Sequence, residues 1–310
     1  MKDHYTINRG AVRTVPIGLP VLAGRTLAGA VALLLISAAF GDRAWAIVGG
    51  GPDERRHPNV GAVIQYDPLI GIVPSSCVLV NERVVVTAGH VADAILSGEV
   101  VLLGVSFDEE LVIGSLAYLH TVKGVVSDYS WSRNGNANPK RADIGALILE
   151  DGVTDIEPAA LPAANALDEL REAGQLWAGP DGPKLTLVGY GLDLSFPPPE
   201  FFSPYEIVEV EYDGQTVPFM GGGRNTAQSG YLGLNAAWLR LSQNVATGSG
   251  GTEPGDSGGP VFWTDPGTGD EVLVGITSWG PLVGTGCYYR VDTVKSLQFI
   301  QNVIDSLAAE

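Results

Sequence analysis

Cysteine, histidine and basic residues are scarce in this chain of 310 residues, and each shortage argues against a class of protein. Only two cysteines and four histidines are present, and the histidines show no spacing typical of metal ligands, so we expect no metal site and no cofactor. Eighteen basic residues against 35 acidic ones give a net charge of −17, which argues against binding to nucleic acid or anionic membranes.

The first 46 residues have the features of a secretory signal peptide. Basic residues between Lys2 and Arg25 precede an apolar run from Leu27 to Phe40, and the sequence Ala-Trp-Ala follows at 44–46. The alternative is a membrane-spanning helix, but the apolar run falls short of the about 20 residues that such a helix needs. We therefore predict a signal peptide over 1–46 and a secreted protein, extracellular or periplasmic, that does not contact the membrane after signal removal.

The remainder, residues 47–310, is rich in short apolar runs bounded by turn residues, which predicts an all-β fold. The runs of the first half lie near 60–65, 78–88, 99–105, 111–126 and 144–150. Those of the second half lie near 184–190, 205–212, 237–242, 258–263, 271–279 and 287–291. We expect two β units, at about 47–150 and 184–290, joined by a surface connection over 151–183.

One helix is predicted, at the C-terminal end over 293–308. Apolar residues from Val294 to Leu307 recur there every three or four positions, and Asp292 or Thr293 is suited to cap the first turn.

The segment Gly255–Pro260, with the sequence Gly-Asp-Ser-Gly-Gly-Pro, is the strongest chemical signal in the chain. A serine hydroxyl is a weak nucleophile until a neighbouring base accepts its proton. The glycines around Ser257 allow a tight turn in which backbone N–H groups point at a developing oxyanion. An ordinary glycine-rich loop is the alternative, but a six-residue match of this kind rarely arises by chance.

Two further residues complete a candidate catalytic group. His90 closes the apolar run that ends at Thr87-Ala88-Gly89, where it is suited to general base and then general acid catalysis. Asp143 begins the apolar run 143–149 and would orient the imidazole. Alone, the histidine suggests a structural residue and the aspartate a cap or turn. Asp93 is a rival, but it lies only three residues from His90.

Taken together, these segments resemble the chymotrypsin/trypsin family of serine proteases, and the resemblance extends over 47–310. The order histidine, aspartate, serine matches that family. Further matching segments are Ile47–Gly50 (Ile-Val-Gly-Gly), Gly189–Gly191 (Gly-Tyr-Gly) and Thr277–Gly280 (Thr-Ser-Trp-Gly). The resemblance implies a chymotrypsin-like double six-stranded β-barrel with a C-terminal helix and an active site between the barrels.

The same resemblance implies the roles of the site residues. Ser257, His90 and Asp143 would form the catalytic triad, and the N–H groups of Gly255 and Ser257 the oxyanion hole. The new amino group of Ile47 would pair with Asp256. Because the signal peptide ends directly before Ile47, we expect the enzyme to be active on secretion without a separate zymogen step.

Substrate binding is also implied by resemblance, with protein or peptide substrates and proteinaceous inhibitors as the expected partners. Ser278, Trp279 and Gly280 would pair with the substrate backbone. The specificity pocket would be lined by Gly251, Thr252, Gly280 and Gly286. A carboxylate is missing at Gly251, which disfavours cleavage after arginine or lysine. The glycine walls suggest an open pocket for large apolar or aromatic side chains.

The sequence departs from the family in its cysteines. Val91 and Glu253 stand where relatives carry disulfide cysteines, and Cys77 and Cys287 stand at positions without cysteine in the family pattern. We expect both to be free, buried thiols. The main alternative function is a catalytically inactive secreted binding protein on the same fold. A vestigial structural protein and a metal enzyme fit the sequence less well.

Overall fold

Seventeen strands and three helices occur in the part of the chain that the computed structural model describes, namely residues 47, 49–130, 141–191, 207–280 and 284–308. The first half contains β1 (Gly51–Pro52), β2 (Val60–Asp67), β3 (Gly71–Asn81), β4 (Val84–Thr87), α1 (Gly89–Ser97), β5 (Val101–Ser106), β6 (Glu110–Leu111), β7 (Val122–Tyr129) and β8 (Asp143–Leu149). The rest contains α2 (Ala166–Glu172), β9 (Lys184–Gly189), β10 (Ile207–Tyr212), β11 (Gln215–Met220), β12 (Gly222–Gly223), β13 (Asn225–Leu234), β14 (Trp238–Ser242), β15 (Pro260–Thr264), β16 (Glu271–Trp279), β17 (Thr285–Arg290) and α3 (Val294–Leu307). The predicted signal peptide over 1–46 lies outside the described residues.

Six strands of the first half form one twisted sheet in the order β5-β2-β3-β4-β8-β7. Strands β4 and β8 are buried along their whole length, which is why their sequences are nearly continuous apolar runs. The two edges of the sheet meet at a single bridge, in which Val105 and His120 exchange backbone hydrogen bonds of 3.1 and 2.8 Å. The first half is therefore curved like a barrel without a continuous ladder at its seam.

The second half closes completely. Strands β13, β14, β17, β16, β15 and β9 pair in that order, and β9 pairs again with β13 to complete a six-stranded barrel. Strand β1 extends it by pairing with β13. The mostly β architecture, the closed barrel and the C-terminal helix confirm the predicted chymotrypsin-like fold.

One predicted strand joins a different sheet from the one expected. The run near 205–212 was assigned to the second half, but it forms β10, which makes a hairpin with β11. This hairpin joins the first sheet, where Phe219 pairs in parallel with Ile72 of β3. A short pairing of β12 with β6 also links the two halves.

The remaining predictions about elements agree with the structure except in detail. Helix α3 begins after Thr293, whose hydroxyl accepts the N–H of Ser296 at 3.1 Å, so Thr293 is the cap. The connection over 151–183 contains the helix α2, which was not predicted. Cys77 on β3 and Cys287 on β17 are free and buried, as expected.

Candidate active site

His90 and Asp143 meet where two buried strands end. Strand β4 ends at Thr87 and helix α1 begins at Gly89, so His90 lies in the first turn of a helix rather than at the strand end that its sequence suggested. Asp143 is the first residue of β8, which pairs with β4. This pairing brings the two side chains together across 53 positions of sequence.

The Asp143 carboxylate holds the imidazole in one orientation. Oδ2 lies 3.0 Å from Nδ1 of His90, and Oδ1 accepts the backbone N–H of the same residue at 2.8 Å. The hydroxyl of Ser278 donates a further hydrogen bond to Oδ2. Asp143 is almost fully buried, whereas 32% of the His90 side chain is exposed, so the imidazole has one ring edge on the carboxylate and another open to the cleft.

Charge and burial oppose each other in this pair. Burial lowers the pKa of His90, but the negative charge and the hydrogen bond of Asp143 outweigh it, and the pKa lies above the ordinary value of 6.5. Burial raises the pKa of Asp143, yet His90 and the Ser278 hydroxyl bring it below the ordinary value. Asp143 is therefore ionised at physiological pH, and its charge favours the protonated form of His90.

The loop that carries Ser257 packs directly against the segment that leads to His90. Gly258 adopts a φ of +88°, and a Cβ there would lie 2.0 Å from Thr87 Oγ1 and 2.8 Å from the Ala88 backbone nitrogen. The Gly258 N–H also donates to Thr277 O at 2.9 Å. Only glycine fits this position, and it brings Ser257 next to the segments that carry His90 and Ser278.

Ser257 is partly exposed, and its carbonyl accepts the N–H of Ser76 at 2.9 Å. Among the described residues no hydrogen bond joins its hydroxyl to the His90 ring. Catalytic hydrogen bonds are often long before substrate binds, so the lack of one here does not argue against a catalytic role for the two residues.

The backbone N–H groups around Ser257 divide into two sets. Those of Asp256, Gly258 and Gly259 donate to carbonyls of the protein at 3.0, 2.9 and 2.8 Å. Those of Gly255 and Ser257 donate to no acceptor within the described residues. The free N–H groups of Ser257 and of Gly255 two residues before it, in a turn where Gly255 has a φ of +100°, are donors of the kind that an oxyanion hole uses.

Ser76 of β3 fixes this turn, and sequence reasoning did not identify it. Its hydroxyl donates to Gly255 O at 3.0 Å and accepts the N–H of Tyr190 at 2.9 Å, while its own N–H bonds Ser257. Ser76 thus ties the serine loop to the first sheet in a chain without the usual disulfides. A serine within an apolar strand gives no sequence signal for such a role.

Asp256 is fully buried, and the hydrogen bonds that it receives from the described residues come from backbone N–H groups. Its carboxylate accepts the N–H of Gly191 at 2.7 Å and that of Glu253 at 2.8 Å. Burial raises its pKa to about 7, although these two hydrogen bonds act in the opposite direction. Ile47 is buried in the core of the second barrel, and within the described residues no hydrogen bond joins it to Asp256. The predicted pair needs a free amino group on Ile47 and stays a prediction.

The predicted substrate-binding residues lie together at the end of the second barrel. Ser278 and Trp279 end β16, and Gly280 follows opposite Gly286 of β17, where a Cβ on Gly280 would lie 3.0 Å from Gly286 Cα. Gly251 and Thr252 precede the serine loop and contact the side chain of Gln243.

The proposed open pocket between these glycines stays a prediction, but buried side chains lie beside two of them. A Cβ on Gly251 would lie 2.8 Å from Cβ, Cγ and Nε2 of Gln243, and one on Gly286 would lie 2.5 Å from the hydroxyl of Tyr288. Both polar side chains are fully buried. They fill the space that the missing side chains leave.

Metal-binding groups and membrane-spanning helices are both absent from the described residues. No group of three or more histidine, cysteine, aspartate or glutamate residues is arranged to hold a metal ion in that part of the chain. Nor does any helix there have the length and apolar character needed to cross a membrane.

Comparison with known proteins agrees with the geometry. The family model described as Trypsin matches residues 216–298, which include the serine loop and the strand that ends at Trp279. His90 and Asp143 lie outside the matched range. No curated protein matches the chain. Over the matched range, and in its closed β-barrel, open curved sheet and C-terminal helix, the chain is similar to the chymotrypsin/trypsin-type serine protease family.

Proposed function

We propose that this protein is a secreted serine endopeptidase that cleaves peptide bonds with His90, Asp143 and Ser257. The observation that carries the proposal is one arrangement of groups. A buried carboxylate holds the His90 imidazole, Gly258 packs the serine loop against the segment that leads to His90, and the N–H groups of Gly255 and Ser257 have no acceptor among the described residues. The family match supports a serine-type hydrolase in general, and this arrangement of groups supports the assignment of His90, Asp143 and Ser257 as the catalytic residues.

In the proposed mechanism Ser257 Oγ attacks the carbonyl carbon of the scissile bond while His90 Nε2 takes the hydroxyl proton. Asp143 stabilises the imidazolium that results, and the N–H groups of Gly255 and Ser257 bind the oxyanion. His90 then returns the proton to the leaving amine as the C–N bond breaks, which leaves an acyl-enzyme. Water attacks the ester by the same route, and Ser257 is regenerated. No cofactor takes part.

The substrate chain would add a strand beside 278–280 at the end of β16, where extended peptides gain backbone hydrogen bonds. Protein or peptide substrates, and protein inhibitors that imitate them, are the partners consistent with such a site. The net charge of −17 disfavours nucleic acid as a partner.

Labelling with a fluorophosphonate probe tests the proposal, because the probe reacts only with a serine that has a working base and oxyanion hole. We expect the secreted protein to be labelled and Ser257→Ala to lose the label completely. Ser97→Ala removes an exposed hydroxyl at the end of α1 and should label like the wild type. A folded, unlabelled wild type would favour the inactive binding protein instead.

Signal removal is proposed to activate the enzyme directly. A free amino group on Ile47 would bring a cation to the buried carboxylate of Asp256, which lacks one among the described residues. We expect N-terminal sequencing of the active, secreted protein to begin at Ile47. Activity should fall at a pH above the 7.7–8.0 typical of a free amino group, because the ion pair raises the pKa of that amine. An active protein that begins several residues earlier would contradict this.

A further inference from the structure

The side chain of Gln243, directly after β14, lies inside the region where the specificity pocket was expected. Its Oε1 lies 3.2 Å from the position that a Cβ on Gly280 would take, and its Nε2 donates to Thr252 O at 3.3 Å. The residue is fully buried and its backbone N–H is fixed on Gly284 O at 2.8 Å. Gln243 is therefore a rigid part of the site.

One polar atom at this position lacks a partner among the described residues. Gln243 Oε1 is buried and accepts no hydrogen bond from them, whereas the buried hydroxyl of Tyr288, beside Gly286, interacts with the side chain of Thr252. Burying an acceptor without a donor is unfavourable, so an unpartnered group of this kind is a candidate to bind a ligand or a water. The position of Gln243 and Tyr288 next to Gly280 and Gly286 places them against the proposed substrate strand.

The side chains of Gln243 and Tyr288 bring no charge to this position. Burial raises the pKa of Tyr288, so its phenol stays protonated at any working pH, and glutamine carries no charge. An arginine or lysine side chain would meet an amide oxygen and a hydroxyl in place of a carboxylate. A long aromatic side chain would have to displace the enclosed Gln243.

We propose that Gln243 sets the primary specificity of the enzyme, limiting it to small, uncharged side chains on the acyl side of the cleaved bond, of the size of alanine or serine. The inference rests on the proposed protease function and adds its substrate class. A serine hydroxyl in this position would have Oε1 of Gln243 as an acceptor, which would give that buried oxygen a donor.

The test uses tetrapeptide p-nitroanilides that differ only in the residue before the scissile bond: alanine, serine, phenylalanine or arginine. For unlabelled wild-type protein, from a preparation whose separate aliquot reacts with the fluorophosphonate probe, we expect kcat/KM for alanine and serine to exceed the other two by about tenfold or more. In Gln243→Gly the value for phenylalanine should rise by about tenfold, since the space beside Gly251 is emptied.

Gln243→Ala provides a second variant if the glycine variant does not fold. Gln228→Ala, which changes an exposed glutamine of β13 in the same barrel, should keep the wild-type profile. Suppose that the wild type reacts with the probe in the separate assay. A preference of the unlabelled protein for phenylalanine or arginine, or an unchanged profile in both Gln243 variants, would then overturn the assignment of Gln243 alone. Loss of labelling in the wild type would overturn the protease function and this assignment with it.

Discussion

Replacing Asp143 with asparagine is expected to lower kcat by about 10⁴-fold while leaving the fold intact, as the same change does in the triads that have been studied. The Asp143 carboxylate accepts hydrogen bonds from the His90 ring, the His90 backbone and the Ser278 hydroxyl. An amide has one acceptor oxygen and an NH₂ group that donates. If that group faces Nδ1, it stabilises the tautomer whose Nε2 carries a proton and cannot act as a base.

The pH profile distinguishes this role from a merely structural one. The carboxylate holds the pKa of His90 above 6.5, and the reaction needs the neutral imidazole. Wild-type kcat/KM should therefore rise with pH through a midpoint above 6.5. In Asp143→Asn the residual activity should rise at a lower pH, because the charge that favours the imidazolium is gone.

Asp93→Asn is the matched control, since it makes the same chemical change at an exposed position of α1 three residues from His90. Steady-state kinetics and far-UV circular dichroism on all three proteins decide the question. If Asp143→Asn kept activity within about tenfold of wild type, Asp143 would not be the orienting carboxylate.

The parts of the site that could be predicted from sequence are those whose function depends on residues next to one another in the chain. The loop around Ser257 is one such segment, because its tight turn needs glycine where φ is positive, at Gly255 and Gly258. His90 and Asp143 were found since each adjoins a run of apolar residues that reads as a buried strand, and β4 and β8 do pair.

Gln243 and Ser76 were missed for a common physical reason. Each acts through a side chain that reaches another segment of the chain, and neither stands in a recognisable pattern. Gln243 follows β14 yet fills the space beside Gly251, and Ser76 bonds a carbonyl 179 positions away. The hairpin of β10 and β11 shows the same limit, because alternation indicates a strand but not which sheet it joins.

Sequence reasoning also missed a cluster of buried charges that lies apart from the catalytic residues. Asp53 is fully buried and binds both Arg224, at 2.9 Å from its Nε, and the imidazole of His57. The other ring nitrogen of His57 lies 3.1 Å from Glu271, and Phe262 stacks on the ring. Charged residues usually lie at the surface, so single positions of this kind give no indication of a buried network.

The cluster fastens the segment that precedes β2 to both halves of the molecule. Arg224 donates to the carbonyl of Val60 at 3.0 Å and to the hydroxyl of Tyr190 at 3.1 Å. Asp53 N in turn donates to Arg224 O at 2.9 Å. Because all these groups are buried and mutually bonded, removing one partner leaves an uncompensated charge in the interior.

The protonation of His57 is expected to make stability depend on pH in the alkaline range. Burial lowers its pKa, but the hydrogen bonds and charges of Asp53 and Glu271 outweigh it and raise the pKa to about 9. The free energy that this contributes is fully present below pH 6.5 and is lost as the pH rises through 9. At about 1.4 kcal/mol for each pKa unit, the loss is about 3 kcal/mol. Asp53, with a pKa of about 2, loses its contribution only as the pH falls from 3.8 towards that value.

Urea unfolding of Ser257→Ala at pH 6 and pH 9.5 measures this loss without self-cleavage. His57→Gln in the same background retains a side chain that donates hydrogen bonds but does not titrate. Asp256, whose raised pKa of about 7 also weakens folding as the pH rises, changes equally in both proteins. The difference between their two pH dependences therefore isolates His57. We expect the parent to lose about 3 kcal/mol more than His57→Gln between the two pH values. Equal losses would mean that His57 is already neutral in the folded protein, so that the cluster is held by Arg224 and Asp53 alone.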